Sequence, residues 1–158
     1  MAVHTLVVGA SGILAPLAAM LVATGDDVTG IARTRPAPDG AHTILLDATS
    51  VAAVTEAIGK ARWDRAVVYA PAVSPESLPT LTRAVGGRVV LIRTSSAADL
   101  VHREPAIRPD VLQLGWTTGP DDGTRWHTPE EVSAAALEVL RDGRGRVLGR
   151  IRPWEERP

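Results

Sequence analysis

Short runs of Val, Ile and Leu recur along this chain and alternate with longer stretches of helical character. Unbroken apolar runs of about five residues predict strands buried on both faces, as in a parallel sheet. The pattern places strands at residues 3–8, 27–31, 42–46, 65–69, 88–92, 111–115 and 146–151. It places helices at 13–24, 51–61 and 129–141, with a short one near 76–85. The last helix has the clearest start: Thr128 can cap, Pro129 suits the first helical position and Glu131 completes a capping box. Alternation of this kind predicts an α/β chain, doubly wound, with a mostly parallel sheet and helices on both faces. Two loops break the rhythm, 94–110 and 116–127. Ligands of open parallel sheets sit beyond the carboxyl ends of the strands. Residues 94–127 are therefore expected to wall a substrate pocket, with Trp116, Thr117 and Trp126 as its candidates, although packing of the loop on the sheet explains both tryptophans equally.

The start of the chain, Thr5-Leu-Val-Val-Gly9-Ala-Ser-Gly12-Ile-Leu-Ala15, runs from strand through a Gly-rich turn into a helix. That is the context of a dinucleotide fingerprint in a Rossmann-like domain. Gly9 permits the tight exit from the strand, Gly12 lets backbone approach a pyrophosphate, and Ala15 lets helix and strand pack closely. Ser11 and Ile13 complete the loop, and the helix N-terminus offers free N–H groups to phosphate. The bland reading of Gly-x-x-Gly-x-x-Ala is a structural turn alone, or a site that has lost its ligand.

After the second strand, an acidic residue would favour a free ribose 2′-hydroxyl. This chain has Arg33-Thr34-Arg35 instead. Two guanidinium groups can fork onto a 2′-phosphate and Thr34 adds a donor, which predicts NADP(H); the alternative is a pair of solvated loop charges. Ser11 can donate to the same phosphate. Asp47, with Ala48 after it, ends the third strand; it can accept from an adenine amino group, cap the next helix, or do both. Ala70, after the fourth strand, is small enough to let backbone pass beside the nicotinamide.

The 158 residues fit one domain, 1–158, with enough length for a core. Charges are mixed and sum to −1, so no basic stripe points to nucleic acid. No apolar stretch is long enough to span a membrane, and no leader with a cleavage site is read at the start. Cys is absent, which excludes disulfides and thiol chemistry; the expected compartment is the cytoplasm. No His/Asp/Glu spacing suggests a metal, and no Gly-x-Ser-x-Gly elbow is present.

Gly9-Ala-Ser-Gly-Ile-Leu-Ala15, Arg33, Leu46-Asp47-Ala-Thr, Val68-Tyr69-Ala-Pro-Ala and Val89-Val-Leu-Ile-Arg-Thr-Ser95-Ser96 follow one another in an order that resembles the short-chain dehydrogenase/reductase superfamily. The tail, from Arg125-Trp-His-Thr-Pro to Pro158, resembles an unusually short bacterial subgroup of it. The resemblance implies a Rossmann fold and a nicotinamide cofactor. Full-length members carry a Tyr-x-x-x-Lys pair after the fifth strand, where Tyr protonates the alkoxide and Lys lowers its pKa. Here Tyr69 is the only Tyr, Lys60 is the only Lys, and the pair is missing. The long helices that flank the fifth strand in the superfamily are missing too, so any homo-oligomer is expected to use another surface.

Hydride transfer belongs to the cofactor, and the protein supplies position and electrostatics. A ketone also needs a proton donor; an iminium ion does not. NADPH-dependent reduction of a small imine or activated double bond is therefore the leading expectation. Tyr69 is a candidate donor or substrate-orienting group, or else an amphipathic core residue. Ser95 and Ser96 match the superfamily's substrate-orienting Ser, or are ordinary turn residues. His102 is a candidate general acid, set against a plain surface histidine. Two rival functions are a cofactor-independent cyclase or isomerase on a repurposed cleft, and a non-catalytic NADP(H)-sensing protein.

Overall fold

In the computed structural model, residues 1–94, 107–118, 123–150 and 158 are described. Seven strands form one sheet: β1 (His4–Val8), β2 (Asp27–Ala32), β3 (His42–Leu45), β4 (Arg65–Tyr69), β5 (Val89–Arg93), β6 (Val111–Leu114) and β9 (Arg146–Leu148). Their order is β3-β2-β1-β4-β5-β6-β9, and every neighbouring pair is parallel. The chain starts in the middle, moves outward to β3, then returns and fills the other side. The reversal falls between β1 and β4, so the carboxyl ends of these two strands flank a crevice.

Alternation along each strand sends side chains to two cores. Val7, Val67, Val90 and Leu112 face helices α1 (Ala15–Ala23) and α4 (Pro129–Asp142). Leu6, Val8, Ala66 and Val68 face α2 (Val51–Ile58) and α3 (Ser77–Arg83). Each buried Val or Leu contributes on the order of 1.5–3 kcal/mol, so the central strands dominate the fold's stability. The absence of Phe is met by close approach of small groups. A Cβ on Gly30 of β2 would stand 2.8 Å from the Cβ atoms of both Ala10 and Ala37, so only glycine lets these segments meet.

The helix signals read from the sequence act as expected at α4. Thr128 Oγ1 accepts from the Glu131 amide at 3.2 Å, Glu131 reaches back to the Thr128 amide, and Gly143 closes the helix at φ 73°. Helix α2 is capped by Ser50, whose Oγ accepts from Ala53 N at 3.2 Å, and it ends at Ile58 rather than residue 61 because Gly59 turns the chain at φ 53°. Helix α1 begins at Ala15, not residue 13, because residues 12–15 first close a tighter turn from Ala15 N to Gly12 O. Between β4 and β5 stand only the 3₁₀ turn Ala70–Ala72 and the seven-residue α3, so no long helix flanks that side.

The expectation of an irregular loop over 116–127 needs correction. Strands β7 (Thr117–Thr118) and β8 (Thr124–Arg125) pair antiparallel, and Trp116 bridges to Arg150 through two backbone bonds of 3.0 and 3.1 Å. A hairpin of two-residue polar strands has no apolar run to announce it. No helix among the described residues is long and apolar enough to cross a membrane.

Candidate functional site

At the end of β1 the chain leaves the sheet through Gly9, whose φ of 101° is open only to glycine at low cost. The Gly9 and Ala10 amides donate to Ile31 O at 3.0 and 3.3 Å, which ties the turn to β2. Gly12 N then donates to Gly9 O at 3.3 Å. The amides of Ser11, Ile13, Leu14 and Leu17 have no acceptor among the described residues, and Pro16 has no N–H. Helix α1 has no side-chain cap and no acid in its first turn. Its positive end is thus left bare, which is unusual for a helix that needs only to be stable. No heavy atom lies within 4 Å of where a Cβ on Gly12 would stand.

This loop forms one wall of a cleft of about 230 Å³. Gly9, Ser11, Gly12 and Ile13 line it from the loop, and Ile31, Ala32 and Arg33 from the end of β2. Residues 46–49 close it beyond β3, and Tyr69, Pro71 and Ala72 beyond β4. The apolar floor is built by strand ends and the rim carries the charges.

Asp47 does not cap α2; Ser50 does. Instead Asp47 Oδ1 accepts from Thr49 Oγ1 at 2.7 Å and from Thr49 N at 3.0 Å. These bonds, side chain first, hold the carboxyl below its ordinary range, and the Arg33 guanidinium across the cleft adds to the effect. Asp47 Oδ2 accepts from no donor among the described residues. Ala48 beside it is buried.

Tyr69 is half-buried against the Gly loop, its Cβ 3.1 Å from where a Cβ on Gly9 would stand. Burial pushes its phenol above the ordinary value, so the group remains protonated through the neutral range. The hydroxyl makes no hydrogen bond among the described residues.

Several expected site residues stand elsewhere. Thr34 and Arg35 are exposed and outside the cleft lining, which leaves Arg33 as the guanidinium at the rim. Ala70 opens the 3₁₀ turn beside the cleft without lining it. Trp116 and Trp126 pack edge to face, with centroids 5.5 Å apart and planes at 81°. Trp116 is 1% exposed and Trp126 46%, and neither they nor Thr117 line the cleft. Ser95, Ser96 and His102 lie outside the described residues. No group of three His, Asp or Glu among the described residues is arranged to hold a metal.

Two contributors escaped the sequence reading. Ser74 Oγ donates to Thr49 O at 2.9 Å and exchanges hydrogen bonds with Ser77, which fastens the rim around Asp47 to the segment after β4. Ser133, fully buried on α4, donates through Oγ to Ile13 O at 3.2 Å. Ser133 shows in the sequence only as a serine inside an otherwise apolar helix face, and Ser74 only as a serine in the turn before α3.

The fold is that of the short-chain dehydrogenases. An oxidoreductase of the short chain dehydrogenase/reductase family from Burkholderia thailandensis superposes with a TM-score of 0.61 at 18% identity, over 94% of this chain and 92% of that one. BdcA in complex with NADPH gives 0.62 at 16% identity, over 94% and 95%. The Bordetella bronchiseptica enzyme WbmH in complex with NAD+ gives 0.62 at 12% identity, over 92% and 75%. No family model matches the sequence, and no curated protein matches it.

Proposed function

We propose that this chain is an NADPH-dependent reductase of short-chain dehydrogenase type, acting on a small organic substrate. The observation that carries the reading is the convergence of the bare Gly loop, Arg33 and Asp47 on a single cleft. The open space over Gly12 and the unpaired amides of Ser11 and Ile13 fit a diphosphate, because backbone donors there have no other acceptor. Arg33, with the Ser11 hydroxyl near the same rim, would hold a ribose 2′-phosphate. The free Asp47 Oδ2 would accept from the adenine amino group. The cofactor-bearing structures with this fold, BdcA with NADPH and WbmH with NAD+, support a nicotinamide ligand.

A bound nicotinamide supplies a hydride. Its acceptor is best an iminium carbon, or an activated double bond whose carbanion product takes its proton from water. A Tyr-x-x-x-Lys pair is absent, since Tyr69 and Lys60 are the only residues of their types. An iminium ion that takes the hydride becomes a neutral amine, its π pair moving to nitrogen, so no side chain has to deliver a proton. Tyr69, kept protonated by burial, serves as a hydrogen-bond donor rather than a base.

Calorimetric titration with NADPH and NADH in parallel tests the cofactor. Selective NADPH binding is expected; binding of neither would move the search to cofactor-independent cyclisation or isomerisation. Turnover of cyclic imines against simple ketones then tests the substrate class. Robust ketone reduction without imine activity would overturn the imine reading.

A further inference from the structure

We infer that Ser133 is a positioning residue for the phosphate loop, aiming a backbone donor from 120 residues away in sequence. The inference rests on the cofactor reading above. Ser133 is fully buried in the α1–α4 contact, where its neighbours Val132, Ala135 and Ala136 are apolar. A buried hydroxyl in such a place must find an acceptor. Its acceptor is not a carbonyl of its own helix, the usual recourse of a helical serine, but Ile13 O at 3.2 Å.

Ile13 lies two residues before α1 and one before its N-cap, Leu14, whose carbonyl is the first to accept a helical bond, so no helical amide claims the Ile13 carbonyl. The Ile13 carbonyl is turned to α4 instead. A trans peptide is planar, with C=O and N–H antiparallel, so the direction of the Ile13 carbonyl fixes the direction of the Leu14 N–H. With the carbonyl drawn to α4, the Leu14 N–H points away from α4, and it has no acceptor among the described residues. The neighbouring peptide is set likewise: Gly12 O accepts from Ala15 N, which turns the Ile13 N–H back toward the loop. Ser133 therefore holds one of two adjacent peptide planes whose donors face outward at the mouth of α1. The α4 end of this contact is itself fixed, because the capping box at Thr128 and Glu131 and the Arg125–Glu131 ion pair at 2.8 Å immobilise the first turn.

The test compares Ser133→Ala and Ser133→Thr with the unmodified chain, titrated with NADPH and with adenosine 2′-monophosphate, which lacks the diphosphate. Removing the hydroxyl should weaken NADPH about tenfold, the loss expected for one misdirected donor to a charged group, and change the monophosphate by less than about twofold. Ser133→Thr, which keeps the hydroxyl, should restore NADPH binding. Equal loss for both ligands, or no loss for NADPH, would overturn the inference. Amide hydrogen exchange supplies a readout independent of any cofactor. In Ser133→Ala the Gly12 and Ala15 amides should exchange faster while Leu21, deep in α1, is unchanged. If the unmodified chain binds neither ligand, the cofactor reading fails and exchange alone decides: faster loop exchange sustains the role of Ser133, and unchanged exchange removes it.

Discussion

Replacing Gly9 and Gly12 separately by alanine should divide the loop's structural role from its binding role. At Gly9 a side chain meets two penalties. The φ of 101° lies where L-residues are strained, at roughly 1–2 kcal/mol or more. The new Cβ would also stand 3.1 Å from Tyr69 Cβ, and neither backbone can retreat without disturbing β1 or β4. Gly9→Ala should therefore lose about 2–3 kcal/mol of unfolding free energy, a large share of a small domain's total. Gly12 differs on both counts. Its φ is not positive and nothing lies within 4 Å of the new methyl, so the folded state bears no strain. Reduced freedom of the unfolded chain should even stabilise Gly12→Ala by about 0.4–1 kcal/mol. The same methyl would project where a diphosphate must pass, and NADPH affinity should fall by about tenfold or more. Urea denaturation read by tryptophan fluorescence gives the stabilities, and calorimetry gives the affinities. A Gly12→Ala protein that is stable and binds NADPH normally would refute the phosphate cradle.

Three further outcomes follow from the same geometry. Arg33→Ala should weaken NADPH by about tenfold or more while leaving NADH nearly unchanged, and Arg35→Ala should change neither affinity, because of the two only Arg33 lines the cleft; equal losses for both cofactors would remove the 2′-phosphate assignment. Tyr69→Phe should unfold within about 0.5 kcal/mol of the unmodified chain, since the hydroxyl has no partner among the described residues. Its effect on imine turnover at saturating cofactor then isolates the hydroxyl's role, and unchanged turnover would exclude Tyr69 from the chemistry. Glu131, held by Arg125 first and then by His127 and Thr128, is lowered from 4.5 to about 2. A depressed carboxyl stabilises the fold above its unfolded pKa and loses that contribution as pH falls. The stability advantage of the unmodified chain over Glu131→Gln should thus be full above pH 4.5, shrink toward pH 2 and be modest throughout, the pair being partly solvated. A gap independent of pH in acid melts would show that the charge is not what stabilises α4.

Local signals carried the sheet and the start of α4. Apolar runs marked the central strands of the main sheet because each is covered on two faces and must be apolar along most of its length, while the short edge strands β3 and β9 stay partly exposed. Thr128, Pro129 and Glu131 marked the start of α4 because a cap acts on amides within one turn. Gly9 and Gly12 marked the loop because backbone freedom is a property of the residue itself. Tertiary structure decided the rest. Arg33 and Arg35 look equivalent in sequence, and only the packing of β2 against β1 and β3 sends one to the cleft. Asp47 read equally as cap or ligand until Ser50 was seen to cap and Thr49 to take one carboxylate oxygen. The β7–β8 hairpin is too short and polar for periodicity to register. Ser133 reaches Ile13 only because α1 and α4 share one face of the sheet, a contact that no pattern within either helix contains. Local sequence sets what each segment can become; the pairing of segments far apart along the chain sets which donors and charges meet.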